Sequence, residues 1–505
     1  MCEIVAGQTW RFASRAVAFD GNEYTDGLET PGTFADALSL SVPSEASMPI
    51  TIHAQAVADL DVEDVVRGAT ARILWWADPD GDDPIVVLDG VVEDPVYGGA
   101  DEPLTATVRE VPWDDRGRIP AVDAVINDDT WPNRDPQVDI TDERYPIVIG
   151  APGVSSVAGD VVGSPAFWVV VGGTDYLLIA GHPVLAASIW LNDLTGPSAT
   201  TAAVTTTADG LGRQVAVCDV TAWSGLGAGD ELWATWYLGG GLANPDAPGE
   251  LMTGAGDVLE WMLHRSTIRV DWGRLRAAKA RLNAYRIDTY IQADPERRVT
   301  PWDWIVSHLL PILPVAVRTG PAGLYLAAFD LSASVPIASL EDGRNCDRSS
   351  PVSVSGTSGV ANDLALHYAP RADRDKGSRV ARVSGHRPTL DTYSDAVRSA
   401  LCEESVRRFG ARSLELSTSV VYDDATATRV LIALAARSAL PPRDVVYTVD
   451  QSLERLEPGD VVAVTDSGLG WTAKIAHVWA VRVSETTEIT LRLWHRPGRD
   501  RAQTV

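Results

Sequence analysis

Residues 420–464 read VVYDDATATRVLIALAARSALPPRDVVYTVDQSLERLEPGDVVAV. Asp423 or Asp424 is placed to cap a helix by accepting free backbone N–H groups. Ala427, Val430, Leu431, Leu434, Ala435 and Ser438 then recur at helical spacing and make one apolar or small face. Pro441 and Pro442 stop the helix, since proline lacks an N–H and restricts the residue before it. The β-rich run 445–449 follows. Glu457, Pro458, Gly459 and Asp460 are turn residues, and Val461, Val462, Ala463 and Val464 resume a strand. The stretch predicts one amphipathic helix laid on a sheet. Nothing in it has a catalytic pattern.

Composition sets the frame around that unit. A chain of 505 residues is expected to hold three or four domains at ~100–200 residues each. Its 42 glycines and 31 prolines, with many Val and Thr, favour a turn-rich, mainly β chain. The formal charge of −27 argues against a nucleic-acid grip, which needs Lys and Arg on phosphates. Cys2, Cys218, Cys346 and Cys402 form no CxxC pair, which disfavours zinc or a thioredoxin-like motif and suits folding in a cytoplasm. Met1, Cys2 and Glu3 lack the basic start of a signal peptide. The longest apolar windows, such as 166–171, are too short to span a membrane.

From the start, alternating residues predict strands over 38–42, 50–54, 71–76, 85–92 and 104–109, a small β-domain over 1–115. The Asp/Pro-rich segment 116–145 reads as a hinge wrapping a surface rather than forming a core. Strands over 166–171, 176–180 and 215–218, with a Gly172-Gly173-Thr174-Asp175 turn, predict a separate inserted β-domain over 146–249. Region 250–345 reads as α+β. A helix over 257–264 carries Val258, Trp261 and Met262. A second, capped by Asp271, carries Leu275, Ala278 and Leu282. A third opens at Thr300-Pro301 with Trp302, Ile305 and Leu309. A hairpin over 315–328 closes the region. The last domain, 346–497, adds a strand over 364–368 and a helix capped by Thr392 or Ser394, with Val397, Leu401 and Phe409 inward and Gly410 at its end. A polar tail covers 498–505.

A capped helix, a strand, Pro458-Gly459-Asp460-Val461-Val462 and then Gly468-Leu469-Gly470 resemble the C-terminal part of bacteriophage tail hub proteins. The helices and the hairpin with Gly323 before its second strand resemble the middle α+β part of that family. The first strands are similar to its tail-tube-like barrel. The resemblance leaves out 150–241 and the hinge. It implies two tail-tube-like β-barrels and an α+β middle; together with the inserted β-domain read from its own strands, the expected fold is mainly β and multidomain. The resemblance further implies a non-enzymatic virion component of a long-tailed phage or siphophage, made in the host cytoplasm and sited at the baseplate or tail tip. Three copies would form a ring adapting a six-fold tube to a three-fold tip and lining the DNA exit channel. The implied partners are further copies of the chain, the tail tube or distal tail protein, a tip, fibre or central spike protein, and DNA that passes without specific binding. An acidic wall would let the duplex slide.

Each candidate site has a plainer explanation. Asp78, Asp80, Asp82 and Asp83 cluster carboxylates as a Ca²⁺ loop does, but no bidentate Glu follows and a hairpin must turn there. Asp373 and Asp375 before Gly377 read as a solvated turn. His182 and Cys218 are a thiol–imidazole pairing within one domain, yet 215–217 make Cys218 an inert strand thiol. Glu403 and Glu404 near Arg407 and Arg408 read as a paired helix face. Trp168, Trp190, Trp223, Trp233 and Trp236 are either core or a sugar-stacking surface. No zinc, Walker, nucleophile-elbow or dinucleotide motif is present. No catalytic, metal or cofactor residue is therefore assigned. The alternatives to the hub are a tail-associated cell-wall hydrolase or peptidase and a host-glycan-binding tail module.

Overall fold

The computed structural model describes residues 1–6, 8–29, 34–37, 47–57, 67–75, 84–97, 102–110, 115–121, 123–132, 143–152, 163–191, 200–219, 232–235, 241–247, 249–291, 299–320, 322–328, 335–370, 379–385, 397–483 and 486–494. The expected strand over 38–42, the loops at 78–83 and 373–377, Thr392, Ser394, Trp223, Trp236 and the tail 498–505 lie outside these residues. The protein is mainly β and multidomain.

The first unit comprises β1 (Cys2–Ala6), β2 (Gln8–Ala13), β3 (Val17–Phe19), β4 (Asn22–Asp26), β5 (Phe34–Ala37), β6 (Ser47–Ile52), α1 (Ala54–Val57), β7 (Thr70–Trp75), β8 (Ile85–Tyr97) and β9 (Leu104–Glu110). Alternation places Ile50, Ile52, Ala71, Ile73, Leu88, Val92, Leu104 and Val108 on one face, where they form a single core. After β4 the chain returns to β6. Leu28 bridges Ile52, and the His53 N–H donates to the Gly27 carbonyl at 2.7 Å, closing the sheet round that core.

Strand β10 (Ile147–Ile149) leads to two four-stranded sheets. The strands are β11 (Gly163–Pro165), β12 (Phe167–Val171), β13 (Thr174–Ala180), β14 (Ala187–Leu191), β15 (Thr200–Ala202), β16 (Val204–Ala208), β17 (Gln214–Asp219) and β18 (Leu232–Thr235). The orders are β11-β18-β14-β15 and β12-β13-β17-β16, sandwiching Leu177, Ile179, Ile189, Cys218 and Leu232. The second face of β12, β13 and β17 carries Phe167, Val169, Leu178, Val215 and Val217, and it is covered by Ala124, Ile126, Trp131 and Tyr145. This corrects the reading of 116–145 as a surface wrap. Of its described residues, Ala124, Ile126, Trp131 and Tyr145 enter a core, because a sheet apolar on both faces needs a lid on each.

The middle holds α2 (Ala255–Leu263), α3 (Trp272–Leu282), β19 (Thr289–Ile291), α4 (Pro301–Trp304), a π turn (Ile305–Leu309), β20 (Val315–Gly320) and β21 (Gly323–Ala328). Asp271 caps α3 and Thr300 caps α4 with Pro301 in its first turn, as their residue types predict. Beyond these come β22 (Ala338–Glu341), β23 (Cys346–Arg348), β24 (Ser353–Val354), β25 (Asp363–Tyr368), β26 (Arg379–Ser384), β27 (Val397–Arg398), α5 (Ala400–Phe409), β28 (Ser413–Ser417), α6 (Asp424–Ser438), β29 (Arg443–Val449), β30 (Val461–Asp466), β31 (Trp471–Val483) and β32 (Thr487–Leu493). Helix α5 is capped by Ser399, not by Thr392 or Ser394, and it ends at Gly410 with φ 72°. Val397 lies before it in a strand.

Helix α6 buries Ala427, Val430, Leu431, Leu434 and Ala435 and is capped by Asp423. Its sheet is not the one that follows it in sequence. The helix shares a core with Leu364, Leu366 and Val383 of β25 and β26 and with α2, α3, β20 and β21. Strands β29 to β32 instead enclose Leu340, Val445, Tyr447, Val462, Val464, Ile489 and Leu491 in a separate core. There β22 pairs with β30, and Asp342 bridges Cys346 as the chain turns into β23, which pairs with β29. The expected boundary at 345/346 therefore cuts through this barrel, whose first strand is β22.

Candidate functional site

Among the described residues no constellation of reacting groups emerges; the distinctive geometry is where the terminal barrels meet. Strand β5 pairs antiparallel with the end of β31, Ala37 with Ala480 through Phe34 with Val483. This makes one 16-stranded sheet of both barrels. Val483 packs against both cores. The two barrels also repeat one another. In the order β6-α1-β7-β8-β9, β6 pairs with β9, β9 with β8 and β8 with β7. In β29, a 3-10 turn (Gln451–Leu453), β30, β31 and β32, the same pairings recur. Strands β8 and β31 are each 13 residues long. Each shifts register against its hairpin partner part-way, between Glu93 and Val96 or between Val478 and Ala480.

The hairpin β20–β21 touches both barrels. Thr319 donates its hydroxyl to the Glu110 carboxylate of β9. Arg318 donates to Glu457 at 3.0 Å, and the Tyr325 hydroxyl donates to the Pro458 carbonyl at 2.9 Å, both in the turn before β30. Arg274 of α3 ion-pairs with the same Glu457 and lies over the Tyr325 ring, 4.6 Å from its centroid. Burial pushes the Tyr325 phenol up to about 12, so it stays a donor. Trp479 of β31 packs against Ala316 and Ala327, on the same face of the hairpin as Arg318 and Tyr325. Arg269 reaches Asp89 of β8 at 3.2 Å. None of these partners is local in sequence, and no motif marks them.

On the barrel faces turned away from the cores, charges pair across strands. The pairs are Glu3–Arg11 (3.1 Å), Arg72–Asp89 (3.6 Å), Arg109–Glu93 (3.3 Å), Arg482–Glu488 (3.8 Å) and Arg492–Asp444 (2.8 Å). Each arginine is already met by a carboxylate.

The candidates singled out by type resolve as follows. His182 is buried, and both ring nitrogens are engaged. Nε2 accepts the Val148 N–H at 2.9 Å, and Nδ1 faces the Pro183 carbonyl at 2.9 Å. The first bond leaves Nε2 unprotonated, so Nδ1 carries the hydrogen. Burial lowers the imidazole to about 4 and pushes the Cys218 thiol up to about 12. His182 holds β10 to the sandwich and has no free nitrogen for a thiol proton. Glu404 ion-pairs with Arg408 one turn on, a paired helix face. Trp190 is 1 % exposed and sits opposite Trp233 on the neighbouring strand, a core contact that leaves its ring no room to stack on a sugar. Among the described residues no group of three or more His, Cys, Asp or Glu is arranged to hold a metal. No helix is long and apolar enough to cross a membrane, again among the described residues.

One segment has a counterpart among known families. Residues 363–481 match the family of putative phage tail proteins. The matched phage-tail segment runs from β25 through α5 and α6 into β31. No curated protein matches the chain. Similar solved structures include the 43 kDa tail protein of prophage MuSo2 from Shewanella oneidensis, at 12% identity and TM-score 0.40, with 98% of each chain covered. A tail protein from Neisseria meningitidis MC58 has 11% identity and TM-score 0.36, with 95% of each covered. Prophage tail protein gp18 from Listeria monocytogenes has 9% identity and TM-score 0.35, covering 97% of this chain and 94% of that one.

Proposed function

We propose that this chain is a structural, non-enzymatic phage tail protein that acts as a tail hub. The phage-tail segment at 363–481 supports the tail assignment. The observation that carries the hub reading is the repeat. Two barrels with the same strand order and pairing stand side by side in one polypeptide, joined through β5 and β31. A closed ring of three copies then offers six near-equivalent barrels on one side and three copies of the middle region on the other. That arrangement meets a six-fold tube or distal tail protein above and a three-fold tip, fibre or central spike protein below, at the tail tip or baseplate of the virion. DNA passing through such a ring meets arginines already paired with carboxylates on the barrel faces, so phosphate finds little to hold it. Electron microscopy of the purified chain tests the reading. A three-fold ring with a central hole is expected, and a lone compact particle at every concentration would refute it. A zymogram on host cell walls is expected to stay clear of lysis.

A further inference from the structure

Within the chain, the second barrel receives its neighbour at one place: the end of β31 beyond its register shift, where Ala480 to Val483 take up β5. The first barrel has the same place. In β8 the residues beyond the shift are Val96 and Tyr97, paired to Thr105 and Leu104 of β9 as Ala480 and Val481 pair to Thr490 and Ile489 of β32. Strand β7 pairs with β8 as far as Val91, and just beyond it Gly68 donates to the Val92 carbonyl and Val92 to the Ala69 carbonyl, as Gly459 and Asp460 do at Val478 of β31. Among the described residues, nothing pairs with this end of β8 on the side that β5 occupies on β31. Val96, the counterpart of Ala480, is 64% exposed.

We propose that this end of β8 is where a second copy of the chain docks, as β5 docks on β31 within one copy. The proposal rests on the ring reading above and names the surface that closes the ring. Pro95 lacks an N–H and Asp94 sits at φ 46°, so a ladder cannot run back through the bulge. That blunts the edge against indiscriminate strand pairing and leaves the contact to the Val96 side chain and the last ladder positions. The occupant is another copy because the equivalent site is filled by a barrel of the same design. A head-to-tail contact of that kind gives a closed ring when its rotation returns the last copy to the first, as the three-copy reading requires.

The test compares the full-length protein with Val96→Asp, the milder Val96→Ser, and Val380→Asp, an exposed valine on β26. Mass photometry and sedimentation velocity give the assembly, and circular dichroism checks that each variant is folded. The wild type and Val380→Asp are expected to form the ring. Val96→Asp is expected to fall to single copies, and Val96→Ser to weaken association about ten-fold. A wild-type ring with both Val96 variants assembling equally well overturns this docking surface and leaves the ring reading intact. A wild type that stays single at all concentrations overturns both.

Discussion

Arg318 is only 6% exposed and is held by Glu457 and Tyr325. Replacing it with alanine removes a buried cation and leaves Glu457 to Arg274 alone. Because Glu457 is 39% exposed and keeps Arg274, the loss is on the order of 1 kcal/mol. Arg318→Ala is therefore expected to speed amide exchange in β20 and β21, measured by hydrogen exchange, while the inserted sandwich exchanges as before. His182 gives a pH dependence. Its folded imidazole is lowered to about 4 by burial, so the unfolded chain binds the proton more readily. Its contribution is complete above the ordinary value near 6.5 and is lost as pH falls from there through about 4, on the order of 3 kcal/mol in all. Exchange at Val148 is expected to rise over that window, and a His182→Gln variant is expected to lose the dependence. Neither Arg318 nor His182 could be placed from sequence. A histidine before a proline names no partner, and Arg318 meets Glu457 across 139 positions.

Helix α6 shows how far local pattern reaches. Its cap, its stop and its apolar face follow from side-chain type and a 3.6-residue period, and all five apolar residues named for that face are buried. Asp423→Ala is expected to cost about 1 kcal/mol through the lost bond to the Thr426 N–H. Leu431→Ala, at 1% exposure, is expected to cost about 3 kcal/mol. Tryptophan fluorescence during denaturant unfolding measures both. Gly323 is a second local constraint: its φ is 117°, and an added Cβ would sit 2.5 Å from the Arg269 carbonyl oxygen. Gly323→Ala is expected to destabilise the hairpin and, through Arg318 and Thr319, loosen its hold on both barrels. The start of α5 was misplaced because Thr392, Ser394 and Ser399 are equivalent caps by type. Ser399 stands directly before the helix, and its side chain accepts the Cys402 N–H.

At the scale of the molecule, the barrels and the middle region form a connected frame, with β20–β21 braced against both barrels and β5 crossing between them. Loss of the β5 contact, for example by Ala35→Pro, is expected to free the barrels from one another. Small-angle scattering would register this as a larger radius of gyration without loss of either core. The sequence by itself determined the mainly β class, many of the longer core strands, the buried face of α6 and the caps of α3, α4 and α6, because these depend on neighbours within a turn or two. Tertiary structure alone decided which sheet α6 covers, that 116–145 supplies a core, that β22 belongs to the second barrel and that β5 joins β31. An apolar face states that it must be buried without stating against what. That choice is made by groups brought together from distant parts of the chain.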